Sequence, residues 1–171
     1  MNIPETVTFE EAIALTQSLI SHMAAGELSP PEIEQAIAQL VKTENGARGF
    51  FVTYLSSEGT LADNPSPEVI QALQSSPDTV AELLVQNLAM SAAMALTHRR
   101  NGDEKMAQGS GRVRSRTTYL IEQVKINQVQ EIAAELRESA VTGEGKYQAF
   151  LKRWQYDAEQ RDIIAKVLER I

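Results

Sequence analysis

The sequence predicts an all-α protein, and three observations carry that prediction. Helix-start signatures recur along the chain: Thr8 with Glu11, Ser29-Pro30 with Glu32, Ser66-Pro67, Ser76-Pro77-Asp78, and Asp157 with Gln160. Each places a short polar side chain where it can accept from a backbone N–H that has no partner within the helix, or a proline where no N–H is needed. Aromatic residues make up only 5% of the chain, so the core must be built from Ala, Leu, Ile, Val and Met, which suit close-packed helices better than sheets. Only one run, 50–55, reads like a strand, and an isolated strand leaves its backbone unsatisfied. The expectation is therefore a single domain over 1–171, a bundle of about seven or eight helices.

In order along the chain, Thr8 and Glu11 form a reciprocal capping box, followed by Phe9, Ala12, Ile13, Thr16, Leu19, Ile20 and Met23 at helical spacing, with Gly26 beyond as the stop. Ser29 caps a second helix that has Pro30 at its first position, and Leu28 stands where it can staple onto Ile33. Segments 8–25 and 29–43 thus read as an αα-hairpin over 8–43. Phe50, Phe51, Tyr54 and Leu55 favour strands by composition but share one helical face, so 46–57 reads as a short helix. Residues 58–66 have turn chemistry throughout.

A short helix follows from Ser66-Pro67, and then a long one over 77–100. Thirteen of the seventeen residues from 80 to 96 are apolar, and a helix apolar on most sides is buried on most sides. It is the expected central element. Asn101-Gly102 ends it. A further helix is expected from Asp103 to Val124 despite Gly109 and Gly111, and another through Val129, Ile132, Ala133, Leu136 and Ala140. After the turn at 142–145 a C-terminal helical pair over 142–171 is expected, the second member capped by Asp157 and Gln160.

Several chemistries lack their residues. There is no cysteine, which removes disulfides, thiolate nucleophiles and sulfur-ligated metals. The two histidines, His22 and His98, have Leu19 and Ala95 three residues before them, so the Glu-x-x-His pattern of helical di-metal sites is missing. Gly143-Glu144-Gly145-Lys146 superficially looks like a nucleotide loop, but Ala140 stands where its first glycine is needed and Tyr147 where Ser or Thr must follow the lysine. Neither catalytic nor metal-ligating residues are expected, nor any cofactor. Met1-Asn2-Ile3-Pro4-Glu5 carries no secretory signature, and 80–96, interrupted by Glu82, Gln86, Asn87 and Ser91, is too short and polar to span a membrane comfortably. A soluble, cytoplasmic protein without membrane contact is expected.

What remains distinctive is the distribution of charge. Residues 1–97 carry twelve acidic side chains against Lys42 and Arg48, a net of −10. Residues 98–125 carry seven basic side chains against three acidic ones, a net of +4, within a chain of −7 overall. Such a segment suits either internal neutralisation, with Glu10, Glu11, Glu27, Glu32 and Glu34 as counter-charges, or an anionic partner. The candidate binding residues are Arg99, Arg100, Arg112, Arg114 and Arg116, whose planar forks match carboxylates and phosphates. On a helix Arg112 and Arg116 share a face and Arg114 points away; in an extended segment all three would project together.

A second candidate surface is the stripe Tyr147, Phe150, Leu151 and Trp154, read either as a buried helix face or, through Tyr147, Phe150 and Trp154, as an interface anchor. Nucleic acid is disfavoured as partner, because the chain is acidic and only Tyr119 lies near the arginines for stacking.

The run Thr43-Glu44-Asn45-Gly46-Ala47-Arg48-Gly49-Phe50-Phe51-Val52-Thr53-Tyr54-Leu55, with Ala62-Asp63-Asn64-Pro65-Ser66-Pro67 and Thr97-His98-Arg99-Arg100, resembles conserved, uncharacterised proteins of cyanobacteria. The resemblance implies a cytoplasmic bacterial protein and transfers no site. The function expected is a non-enzymatic interaction or scaffold protein, binding a protein partner or a second copy of itself. The alternatives are a binder of nucleic acid or a phosphorylated ligand through 98–116, and a cryptic enzyme.

Overall fold

A computed structural model describes all residues 1–171 and contains nine helices and no strand. Eight of the helices are seven residues or longer, in agreement with the all-α expectation. They are α1 (Phe9–Ala24), α2 (Pro30–Val41), α3 (Glu44–Ser56), α4 (Pro67–Gln74), α5 (Pro77–Arg100), α6 (Glu104–Val124), α7 (Gln128–Thr142), α8 (Gln148–Arg153) and α9 (Ala158–Leu168). The chain divides into two compact units, one of residues 1–83 and 119–126, the other of 84–118 and 127–171.

In the first unit, local chemistry sets the helix ends. The Thr8 hydroxyl accepts from Glu11 N at 3.1 Å while Glu11 Oε2 accepts from Thr8 N at 2.8 Å. At α2, both the backbone N–H and the hydroxyl of Ser29 donate to Glu32 Oε2, at 2.8 and 2.7 Å. Gly26, with φ of +69°, supplies the left-handed residue that turns the chain between the first two helices.

The 50–55 run is helical, and its cap was hidden in the sequence: the Thr43 hydroxyl accepts from Gly46 N, so α3 begins at Glu44. Helix wins over strand because Phe50, Phe51, Tyr54 and Leu55 then fall on one face and are all buried. Phe50 stacks on Tyr54 with ring centroids 5.1 Å apart, and Phe51 meets Phe50 edge-on at 5.3 Å. The Tyr54 hydroxyl donates to Leu61 O at 3.2 Å, tying the following loop to the same cluster.

Helix α1 packs on α3, and α2 on both α3 and α4. Two glycines permit this. A Cβ at Gly49 would lie 2.4 Å from the Ala12 Cβ, and one at Gly46 would lie 2.0 Å from Leu40 O. Gln74 Nε2 donates to Val124 O at 3.0 Å, joining the end of α4 to the end of α6 within the same unit.

In the second unit α7 packs on α8 and α9. Gly143 (φ +76°) ends α7, and the buried Ser139 hydroxyl accepts from Tyr147 N at 3.0 Å, which fixes the chain as it turns into α8. Helix α9 carries the expected box: Gln160 N donates to Asp157 Oδ1 at 2.9 Å and Asp157 N to Gln160 Oε1 at 3.0 Å.

Helix α5 runs its expected length. At 24 residues it is long and apolar enough, by length and composition, to cross a membrane, whereas the apolar run alone reads as too short. Of its most apolar window 61% is buried inside the protein, as in the core helix of a folded domain.

Candidate functional site

The five candidate arginines do not act as one group. Helix α6 is continuous from Glu104 to Val124, through both Gly109 and Gly111, so the extended arrangement that would align Arg112, Arg114 and Arg116 does not occur. The two glycines weaken the helix by about 1 kcal/mol each relative to Ala, but twenty-one residues of continuous hydrogen bonding absorb them. Arg116 turns inward, is 3% exposed, and is engaged within the fold. Arg112 and Arg114 are exposed and form no ion pair.

Arg100 has an internal counter-charge, though not from the N-terminal glutamates. It sits in the last turn of α5 beside the N-terminus of α9, where Nη1 donates to Asp157 Oδ2 at 2.7 Å and Nη2 donates to Glu159. One helical turn earlier, Thr97 Oγ1 accepts from Gln160 Nε2 at 2.8 Å. Asp157 therefore serves twice, capping α9 and holding Arg100. The Arg100 guanidinium, and next the Gln160 backbone N–H, hold the Asp157 carboxyl below its usual value of 3.8, and the same contact raises Arg100 further above its own. Arg99, its neighbour, is exposed and makes no ion pair.

This cluster makes a sign-specific prediction. A carboxyl held down in the folded state stabilises the fold above its unfolded pKa, and loses that contribution as pH falls through the folded value. Arg100→Ala is therefore expected to lower the melting temperature most near neutral pH. The gap to the unmodified protein closes as the pH falls below the ordinary aspartate range, where the depressed Asp157 carboxyl takes up its proton. Circular dichroism melts at a series of pH values check this; a gap independent of pH would show that the ion pair is not the source.

Three of the five N-terminal carboxylates proposed as counter-charges are occupied within their own hairpin. Glu11 caps α1, Glu32 caps α2, and Glu27 pairs with His22 Nδ1 at 2.5 Å. The Ser29 side chain first, then its backbone, holds the Glu32 carboxyl below the ordinary carboxylate range. Glu10 and Glu34 make no ion pair, and Glu10 is exposed.

The aromatic stripe divides as well. Helix α8 is only six residues long, so the helical spacing that joins Tyr147 to Trp154 runs past both its ends. Tyr147 and Leu151 are buried, Phe150 is half-buried, and Trp154 is 45% exposed. The Arg153 guanidinium lies 5.6 Å from the Trp154 ring centroid, and Gln155, at φ +54°, turns the chain away. Phe150 meets Tyr156 edge-on at 6.4 Å, and burial pushes the Tyr156 hydroxyl up to about 12. The Thr97–Gln160 contact is absent from the sequence-derived candidates, since its two partners lie on different helices and leave no local pattern.

No three His, Cys, Asp or Glu side chains stand close enough to hold a metal ion. The exposed, unpaired basic groups of the segment are thus Arg99, Lys105, Arg112, Arg114 and Lys125.

Compared with known proteins, residues 8–171 match the family model described as "Uncharacterised conserved protein UCP020893". No curated protein and no solved structure matches the chain.

Proposed function

The chain belongs to the family of uncharacterised conserved protein UCP020893, and we propose that it is a non-enzymatic interaction protein whose exposed arginines, at the end of α5 and along α6, take an acidic surface of a protein partner. One observation carries the reading. Arg99, Arg112 and Arg114 remain exposed without intramolecular ion pairs, in a chain whose net charge is −7 and which holds spare carboxylates of its own. Guanidinium forks left open in this way suit bidentate contact with carboxylates. The acidic remainder repels a polyanion, which favours a protein over nucleic acid. The cytoplasmic setting and cyanobacterial source implied by the sequence resemblance belong to the same reading.

The test compares proteins captured by the tagged full chain with those captured by Arg99→Glu/Arg112→Glu/Arg114→Glu. A second variant, with the same change of charge at the exposed Lys42, Lys152 and Arg170, is the control. The reading expects a partner lost with the first variant, kept with the second, and released by salt once exposed charges are screened. If both variants keep every partner, the exposed arginines of α5 and α6 are not the docking surface. Retention of the unmodified chain on nucleic acid at low salt would favour the polyanion reading instead.

A further inference from the structure

We propose that Asn101 is a site of self-modification: the Gly102 backbone nitrogen displaces its side-chain amide and leaves a carboxylate. The fold withholds the same reaction from the chemically identical pair Asn45-Gly46. Of the six asparagines, only Asn45 and Asn101 precede glycine. Asn64 precedes proline, whose nitrogen has no proton to give, and Asn2, Asn87 and Asn127 precede residues whose side chains shield the nitrogen. Glycine leaves it bare. The reaction needs water as its one co-reactant. A bond forms from Gly102 N to Asn101 Cγ, and the side-chain nitrogen departs as ammonia, carrying the proton that Gly102 N gives up. Water then opens the five-membered imide at either carbonyl and returns a proton to the nitrogen. The product is aspartate or, with the main chain rerouted through the side chain, isoaspartate.

Both asparagine side chains are exposed, so access to water does not separate the two pairs. Backbone freedom does, because helical ψ holds the next nitrogen away from the side chain and ring closure requires rotation out of it. Asn45 is the second residue of α3, where Gly46 N donates to the Thr43 hydroxyl at 3.1 Å and Ala47 N to Thr43 O at 2.9 Å. Gly46 is buried, so close to α2 that a Cβ would lie 2.0 Å from Leu40 O. Rotation at Asn45 therefore gives up the cap, the first turn of α3 and its packing on α2 together.

Asn101 is the first residue beyond α5. Its turn is held by Gly102 N donating to Arg99 O at 3.1 Å and Asp103 N to His98 O at 2.9 Å. Every residue from 99 to 106 is exposed, and a Cβ at Gly102 would meet nothing within 4 Å. The turn opens for the loss of those bonds alone, and exposed turns open far more cheaply than packed helices. The new carboxylate removes one unit of the +4 carried by residues 98–125 and stands two positions from Arg99, within the surface assigned above to an acidic partner. The modification itself does not depend on that assignment.

The experiment ages the full chain in mildly alkaline buffer, folded and, in parallel, unfolded in guanidinium chloride. Trypsin releases Asn45 in fragment 43–48 and Asn101 in fragment 101–105, and mass spectrometry reads the exchange of amide for acid in each. Unfolded, both pairs should convert at similar rates. Folded, Asn101 should convert at least about tenfold faster than Asn45. Anion exchange of the aged folded chain should resolve a growing, more acidic species that Asn101→Gln does not form, because the longer glutamine side chain closes its ring far more slowly.

An Asn101 that stays intact in the folded chain while the unfolded chain reacts overturns the proposal. So does equal conversion of the two pairs in the folded chain. An Asn45 as slow unfolded as folded would place the difference in the flanking sequence and overturns it too. None of these results touches the capture experiment above, which compares freshly prepared proteins.

Discussion

Replacing Gly49 with valine is expected to unfold the first unit at room temperature. The first added carbon would sit 2.4 Å from the Ala12 Cβ, 2.9 Å from Phe9 O and 3.0 Å from Ile13 N. Two of these three atoms belong to the α1 backbone, so no side-chain rotation relieves the clash, and α1 and α3 must separate. Overpacking of a close-packed core costs about 1–3 kcal/mol when side chains can adjust, and more when they cannot. Separation also gives up the burial of Ala12, Phe50 and their neighbours, against a total stability of only about 5–15 kcal/mol for a typical domain.

Gly49→Ala carries the same first carbon and is expected to be strongly destabilising despite its gain of about 1 kcal/mol in helix propensity. Gly109→Ala is the internal control. That glycine is also helical, a Cβ there meets nothing within 4 Å, and the melting temperature should rise by about 2–4 °C for a gain of about 1 kcal/mol in a chain of this size. Thermal melts of the three variants decide the matter. A Gly49→Val protein that melts with the unmodified chain would show that the α1–α3 approach is not as close as described.

The second large effect is expected at Phe50. Its ring is fully buried, stacked on Tyr54 and in edge contact with Phe51. Truncation to alanine removes the ring from three-way contact and leaves a cavity, at a cost of about 3–5 kcal/mol. Phe50→Leu keeps most of the volume and should cost less than half as much. Urea unfolding followed at 222 nm reads both as shifts in midpoint at nearly constant slope. Because Trp154, the only tryptophan, lies in the second unit, its fluorescence followed alongside reports whether both units lose structure in one transition. A midpoint for Phe50→Ala within 1 kcal/mol of the unmodified protein would remove this cluster from the core.

Helix identity was legible in the sequence wherever the signal was local. The boxes at Thr8 and Asp157 appear as bonded, and the start at Ser29 appears as a pair of donations to Glu32. The long apolar helix spans the residues its periodicity and proline start indicated. The ambiguity at 50–55 was real in composition, since aromatic and β-branched residues favour strands. It was resolved by what each conformation buries. As a helix the run presents four large side chains to one side, and as a strand it has no neighbour.

The candidate site was legible only as a composition. Counting charges located the basic segment, but every arginine in it looked equivalent. Folding made them different: Arg116 is buried, Arg100 is bound to α9 fifty-seven residues away, and Arg99, Arg112 and Arg114 stay in water. The same holds for the aromatics, where one stripe became a buried Tyr147 and an exposed Trp154 because α8 ends after six residues.

By itself, then, the amino-acid order determined where the capped helices begin, which sides of them are apolar, and that positive charge gathers in one segment of an acidic chain. These are properties of neighbours within a few residues, written in caps, periods and counts. Which guanidinium groups remain available, which carboxylates are spent, and why Gly49 admits no side chain were decided only in three dimensions. Each depends on an atom supplied by a distant helix, and no local pattern encodes the distance between them.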